Sequence, residues 1–405
     1  EADPLSASSN LVDILKKVPM LSVDGNDEIR LNGTTDYKLL VNGKSTGMMV
    51  KNFKDVMKSL PATAIKEIEV ITNPPARYDA EGIGGVINIT SRRRSGGYNG
   101  NINANVSTKG DYGAGGYFSA QINKLALSVN LNSGIYNSVK TKNYYESENL
   151  GSDLYRYAYN NGHAMNKGEN TMVGVEGSYD IDSLNMITIS GWGFTGENRS
   201  VSNKRYISMD LNKKTTREYV NDLNNKNGYG MMSGSLSYQK NFKKPDKSLT
   251  FSYSIDHNPS SGDFNNVIDP VLDYLEYKQK SHNKANGTEH TIQADYYDPI
   301  SKKHQFETGV KYILRQNYSD TDVHKWDESN NIWVRDNSKI NDLDYNQHIL
   351  GAYLGYVFKY KKLSLKGGAR MEYTYNDGVS KSEQKEIEFD NRQFDLVPYV
   401  NLSYM

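Results

Sequence analysis

Residues 65–89 read IKEIEVITNPPARYDAEGIGGVINI. The first part, Ile65-Lys66-Glu67-Ile68-Glu69-Val70-Ile71, alternates apolar and charged residues with the period of a half-buried strand. Asn73-Pro74-Pro75 then breaks it, because proline fixes its own φ and offers no N–H to a ladder. Gly82, Gly84 and Gly85 lead into a second apolar strand through Asn88 to Ile89. Glycine there permits backbone angles and a close approach that a Cβ would block. The stretch therefore reads as a hairpin with a rigid turn, whose second strand packs hard against a neighbour. An ordinary α+β domain could hold the same hairpin, so its context decides.

Upstream, Leu11, Ile14, Leu15 and Val18 fall at helical spacing, with Ser9 or Asn10 as cap and Pro19 as stop. Glu28–Leu31 and Tyr37–Val41 read as short strands beside the turn pairs Asn32-Gly33 and Asn42-Gly43. A second helix is expected over Val50–Leu60, ended by Pro61. Residues 1–95, closed by Arg92, Arg93 and Arg94, thus form one small α+β domain. The polar opening Glu1–Asn10 reads as a mature start without a signal peptide.

From residue 96 to 405 the texture changes to alternating stretches of roughly ten residues. Leu249, Phe251, Tyr253 and Ile255 alternate with Thr250, Ser252, Ser254 and Asp256. Leu363, Leu365, Ala369, Met371, Tyr373 and Tyr375 alternate with Ser364, Lys366, Arg370, Glu372 and Thr374. The connections alternate too. Asn123-Lys124, Ile181–Leu184, Lys243–Lys247, Pro299–Lys303 and Tyr360–Lys362 are tight, whereas Tyr136–Asn170, Gly196–Gly228, Asn258–Gly287, Gln316–Asn346 and Asn376–Gln393 are long and polar. Membrane barrels have this asymmetry, and compact soluble domains seldom carry so many long loops.

Composition agrees. Mean hydropathy is −0.72, and the sequence has no apolar run long enough for a transmembrane helix. A barrel strand needs apolar residues only at alternate positions. Tyr outnumbers Phe by 31 to 10, which suits a membrane boundary or a wet binding surface. The 48 Lys and Arg balance 48 Asp and Glu, so phosphate neutralisation of a nucleic acid is not indicated. With no Cys, thiol catalysis and zinc–thiolate sites are excluded. Lys311, Arg315, Lys366, Arg370 and Glu372 must face a wet lumen, since an Arg or Lys at mid-bilayer costs about 2–4 kcal/mol. About twelve strands fit the sequence. Such a barrel is too narrow for the first domain, so the sequence reads as part of a larger barrel.

The hairpin, with its Gly-Gly-Val-Ile-Asn-Ile strand placed directly before the barrel strands, resembles the plug of TonB-dependent outer-membrane receptors. Residues 11–23 (LVDILKKVPMLSV) resemble the plug opening, and "YDAEG" at 78–82 resembles the Bacteroidota outer-membrane barrel family. The resemblance implies an α+β plug domain followed by antiparallel transmembrane β-barrel strands, about twelve of a 22-stranded barrel, in the outer membrane. It implies uptake of a siderophore, oligosaccharide, peptide or vitamin. It also implies a TonB-type energy-coupling protein in the periplasm, outer-membrane lipid around the strands, and a surface lipoprotein as a candidate partner. No nucleic acid and no cofactor are expected. Asn73, Pro74, Tyr78, Gly82, Gly84, Gly85 and Asn88 carry the plug signature, and Lys44, Arg77 and Tyr78 are candidates to face ligand. Arg77 and Tyr78 pinning the plug to the wall is the competing reading. No segment before Leu11 resembles a TonB-contacting box.

Enzyme readings find no support in the motifs. The seven His form no His-x-His or His-x-x-x-His pair, and there is no Gly-x-Ser-x-Gly or P-loop. Asp180 with Asp182, and Asp320 with Asp322, could hold Ca²⁺ through alternate oxygen ligands or serve as turn residues. The alternative to import is a non-transporting barrel with a fixed plug, acting as adhesin, assembly factor or receptor subunit.

Overall fold

The computed structural model describes residues 11–24, 29–35, 37–41, 44–45, 62, 65–71, 85–91, 97–138, 140–244, 247–382 and 385–404. The first part holds helix α1 (Leu11–Leu15) and strands β1 (Leu21–Val23), β2 (Ile29–Leu31), β3 (Lys38–Val41), β4 (Lys44–Ser45), β5 (Ile65–Ile71) and β6 (Val86–Ser91). β1 and β2 pair, and a four-stranded sheet runs β4-β3-β6-β5. The expected hairpin is present: β5 pairs antiparallel with β6, Val70 opposite Ile87 and Ile68 opposite Ile89. The first helix ends at Leu15, before the Val18 that the periodicity allowed, and relaxes into turn bonds through Val18. Asn32 and Gly33 both take positive φ, 50° and 85°, the geometry that a two-residue Asn-Gly turn requires. The helix expected over 50–60 and the arginines 92–94 lie outside the described residues.

Among the described residues, Leu11, Leu15, Ile29, Leu31, Leu40, Val86, Ile87 and Ile89 are the largest fully buried side chains. They are the apolar positions of α1 and of strands β2, β3 and β6, so the periodicity of the sequence is what fills this core.

From Gly97 the chain is almost entirely strand. The elements are β7 (Gly97–Val106), β8 (Tyr112–Ile122), β9 (Leu125–Asn137), β10 (Thr141–Glu148), β11 (Tyr157–Asp180), β12 (Asn185–Met209), β13 (Thr215–Asn241), β14 (Ser248–Leu272), β15 (Tyr277–Asp298), β16 (His304–Asp327), β17 (Ile332–Arg335), β18 (Asp342–Tyr360), β19 (Leu363–Lys381) and β20 (Glu386–Tyr404). They form one antiparallel sheet in the order β20-β19-β18-β16-β15-β14-β13-β12-β11-β9-β8-β7, with β10 added to β11 and β17 to β16. The twelve-strand path matches the count from the sequence. Among the described residues β7 and β20 each have one neighbour.

One expectation needs correction. The long polar connections are for the most part not loops. β11 to β16 run 22 to 27 residues each, and their far turns shrink to short links such as 210–214 and 273–276. The ladder continues where apolar alternation stops, because backbone pairing needs only a neighbouring strand, whereas alternation needs an apolar surroundings on one face.

The two faces of the sheet differ sharply. Across one face the register links Ile189, Leu236, Tyr253, Ile292, Tyr312, Leu350, Tyr373 and Phe394 in one row. All are exposed. Aromatic and histidine pairs bound this apolar band. At one margin Tyr253 donates to or accepts from His290 Nδ1 at 2.9 Å, and Tyr312 meets His348 Nδ1 at 2.8 Å. At the other, His304 Nδ1 meets Tyr356 at 2.5 Å, with Tyr360 beyond it. Along β18 from Tyr360 to His348 the strand covers about 40 Å at 3.3 Å per residue, which at a tilt near 40° is about 30 Å of height. That equals the hydrocarbon core of a bilayer. No helix among the described residues is long and apolar enough to cross a membrane, and strands supply the crossing.

Candidate functional site: the plug seat and the polar wall

The other face of the sheet carries the small domain. Met172 of β11 and Phe194 of β12 are buried in the same apolar cluster as Leu11, Leu15, Ile29, Leu31, Ile87 and Ile89, with Trp192 packed against it. Met172 and Phe194 are cross-strand partners, and the Trp192 and Phe194 rings stack at 6.4 Å. This pair of strands is the seat of the small domain. Sequence reading missed it. The signal was two aromatics, Trp192 and Phe194, on a strand face otherwise made of Thr188, Ser190 and Gly196.

Register carries the seat face across the sheet. Phe194 lies opposite Met231; two residues on, Ser233 faces Asp256, Asp256 faces Glu289, Glu289 faces Arg315, and Arg315 faces Gln347. Away from the seat this face is a charged wall. Arg315 Nε donates to Glu289 at 2.5 Å and its Nη1 to Gln347 at 3.0 Å. Arg370 Nη2 donates to Glu372 at 2.7 Å, with the Arg370 side chain only 7% exposed. Tyr353 OH donates to Asp295 at 2.6 Å, and Lys366 lies 3.6 Å from Glu307. The structure thus puts Lys311, Arg315, Lys366, Arg370 and Glu372 on the face the sequence required. Charges removed from bulk water keep their cost low by pairing, as these do.

The plug-signature residues divide. Gly85 sits at the entry to β6, where an added Cβ would lie 2.5 Å from Leu31 Cδ2 and 3.0 Å from the Ile71 carbonyl. The close approach expected of this glycine is therefore to β2 and β5 within its own domain. Asn88 lies opposite Glu69, and its Nδ2 donates to Glu69 Oε2 at 3.4 Å, tying the two strands of the hairpin. Lys44 lies on β4 at the edge of the four-stranded sheet. Asn73, Pro74, Arg77, Tyr78, Gly82 and Gly84 lie outside the described residues.

One member of each acidic pair considered for Ca²⁺ has other work. Asp182 accepts the backbone N–H groups of Leu184 and Asn185 at 2.8 and 2.9 Å. Those donors, Leu184 first, hold its carboxyl below the usual range. Asp322 accepts from Arg335 Nε at 2.9 Å. Among the described residues no three His, Asp or Glu converge as a metal site.

A small α+β domain seated by an apolar patch on the polar face of a long-stranded antiparallel sheet, whose other face carries a bilayer-high apolar band, defines a plugged outer-membrane barrel of the transport class. Comparison with known families agrees. Residues 4–86 match the TonB-dependent Receptor Plug Domain, and residues 240–405 match the Outer membrane protein beta-barrel family. The chain belongs to the TonB-dependent receptors of the outer membrane. Among solved structures it is similar to the ferric yersiniabactin uptake receptor FyuA of Yersinia pestis, at 11% identity over 97% of this chain and 78% of that one, with a TM-score of 0.35. It is also similar to the ferric-catecholate import receptor Fiu of E. coli K12, at 10% identity over 96% and 78%, TM-score 0.38, and to the copper transporter OprC, at 10% over 100% and 77%, TM-score 0.34. No curated protein matches the sequence.

Proposed function

We propose that the chain takes up a ligand by energy-coupled rearrangement of the plug, with residues 1–95 as the moving domain and 96–405 as wall. The observation that carries this reading is the asymmetry of the plug-side face. Apolar packing joins plug and wall at Met172, Trp192 and Phe194, while β14 to β19 offer paired charges and amides. A polar wall can be rewetted without exposing apolar surface, so a path along it opens at low cost, whereas separation at the seat exposes buried rings. A TonB-type protein pulling from the periplasm supplies the work. Lys44, Arg77 and Tyr78 face the ligand on this reading, outer-membrane lipid surrounds the apolar band, and a surface lipoprotein is a further partner. The ligand class stays among siderophore, oligosaccharide, peptide and vitamin.

The test compares ligand-dependent growth or uptake in cells with and without the energy-coupling protein. Import predicts that loss of that protein reproduces loss of the receptor. If the receptor's phenotype persists unchanged without it, the chain is a barrel with a fixed plug. Arg77→Ala separates the two roles of that residue: reduced uptake with normal plug stability supports ligand contact, and normal uptake with a weakened plug rules it out.

A further inference from the structure

At the margin where Tyr360 bounds the apolar band, the strands stop. Here β11 joins β12 through 181–184, β15 joins β16 through 299–303, and β18 joins β19 through 361–362. Short turns of this kind mark the periplasmic end of an outer-membrane barrel. β16 and β18 are neighbours in the sheet, so the last two turns lie side by side on the rim. Residues 299–303 and 359–362 carry Lys302, Lys303, Lys359, Lys361 and Lys362 and no acid. The Lys359 N–H donates to the Lys303 carbonyl at 2.7 Å, which ties the two turns into one surface.

The charge of this surface is not cancelled from its surroundings. Asp298, just before the first turn, is taken by Lys244 at 2.7 Å and Lys247 at 2.9 Å. Glu307 lies on the other face of β16, 3.6 Å from Lys366. All five lysines are exposed, and among the described residues none has a carboxylate partner. The count holds without His304, whose Nδ1 meets Tyr356 OH.

Tyr360 fixes the depth of the charge. Its ring, half exposed on the band face, has the Lys303 ammonium 5.6 Å and the Lys361 ammonium 5.7 Å from its centre. Like charges held against one ring repel each other, and one anion reached by both flexible stems relieves that repulsion. Towards the band, the same face of β18 carries Phe358, Tyr356 and Leu354, the last two exposed. Paired cations thus stand at the edge of a lipid-facing apolar strip.

We propose that this corner binds an anionic phospholipid of the periplasmic leaflet. Lys303 and Lys361 take the headgroup phosphate, Lys302, Lys359 and Lys362 strengthen the field around it, and the acyl chains lie along Phe358, Tyr356 and Leu354. Charge and position together select this occupant. An acidic peptide would use the lysines and leave the apolar strip unused, and a zwitterionic headgroup brings its own cation and gains less. The inference rests on the lipid-facing band and not on import, so a barrel with a fixed plug would bind the lipid equally.

Native mass spectrometry of the full chain in detergent reads successive lipid binding. Dimyristoylphosphatidylglycerol is the probe, dimyristoylphosphatidylcholine the zwitterionic control, and glycerol 3-phosphate and hexaglutamate are competitors. At about fivefold per lysine, the two lysines give phosphatidylglycerol about a twentyfold preference for the first site. Lys303→Gln/Lys361→Gln brings the preference to within about threefold, and Lys303→Arg/Lys361→Arg keeps it. High salt weakens the preference in the parent. Heat-modifiable mobility on gels shows that each variant is folded. Equal binding of the two lipids by the parent overturns the proposal, as does an undiminished preference in the folded glutamine variant. Displacement of the lipid by an equal concentration of glycerol 3-phosphate or hexaglutamate overturns it too, because the surface would then recognise charge without the acyl chains.

Discussion

Val310 and Lys311 are neighbours in β16 on opposite faces of the sheet, and replacing Val310 by Arg tests the assignment of those faces. Val310 is 53% exposed and belongs to the apolar band, between Thr308 and Tyr312 on its own strand and opposite Ala294 and Ala352 on the next. Lys311 faces the polar wall, opposite Gln293 and Gly351. If the band lies in lipid, Arg at this depth costs about 2–4 kcal/mol. Losing the valine side chain from hydrocarbon adds about 1.5 kcal/mol. The expected loss is therefore about 3.5–5.5 kcal/mol. If the band instead faced water, a half-exposed position would change by no more than about 0.5 kcal/mol. The assay is reversible guanidinium unfolding from lipid vesicles, followed by tryptophan emission at constant lipid-to-protein ratio, with Lys311→Arg as the companion substitution. Lys311→Arg should stay within about 0.5 kcal/mol of the parent. A loss below about 1 kcal/mol for Val310→Arg would falsify the lipid-facing assignment.

Three further outcomes follow from individual contacts. Gly85→Ala forces a Cβ to within 2.5 Å of Leu31 and should destabilise the plug by about 1–3 kcal/mol, seen as faster hydrogen exchange over β5 and β6 with exchange in the barrel strands unchanged. Phe194→Ala removes a buried ring from the seat and should cost about 3–4 kcal/mol in plug docking; limited proteolysis reads this as faster cleavage within residues 1–95. The Asp182 carboxyl is held below its ordinary value in the turn between β11 and β12 by the Leu184 N–H. A lowered carboxyl contributes stability that is present above its unfolded pKa, near 4, and is lost as pH falls through the lower folded value. Acid unfolding of Asp182→Asn should accordingly depend less steeply on pH below about 4 than that of the parent, and equal slopes would remove the turn from the account.

Much of the fold was legible because two periodicities are written plainly in the chain. In the first domain the apolar positions at helical and strand spacing, Leu11, Leu15, Leu31 and Ile87, are the residues that fill its core. In the barrel, alternation revealed which residues share a face, and the cost of burying Lys311 or Arg370 in lipid settled which face is wet. The upper reaches of β11 to β16 were illegible for a physical reason. Above the bilayer both faces of a strand meet water, so Tyr157–Asn170 and Asn258–Leu272 keep their hydrogen-bonded ladder while losing every compositional mark of a strand.

The seat was harder to read than the hairpin because the two record different kinds of information. The hairpin's chemistry is local: Gly85 must be glycine because Leu31 and Ile71, its own domain's residues, crowd it. Met172, Trp192 and Phe194 acquire meaning only from what docks on them, about a hundred residues away in sequence. On a strand whose wet face is otherwise Thr and Ser, an aromatic pair has two physical readings, an outward lipid contact in slipped register or an inward partner. Register excludes the first, since Ile187 and Ile189, at odd positions of the same strand, already stand on the band face. On β12 the two aromatics of inward parity are thus the mark of the seat. On β16 and β18 the same inward parity carries Ile313 and Ile349, paired with each other and both buried on the polar wall.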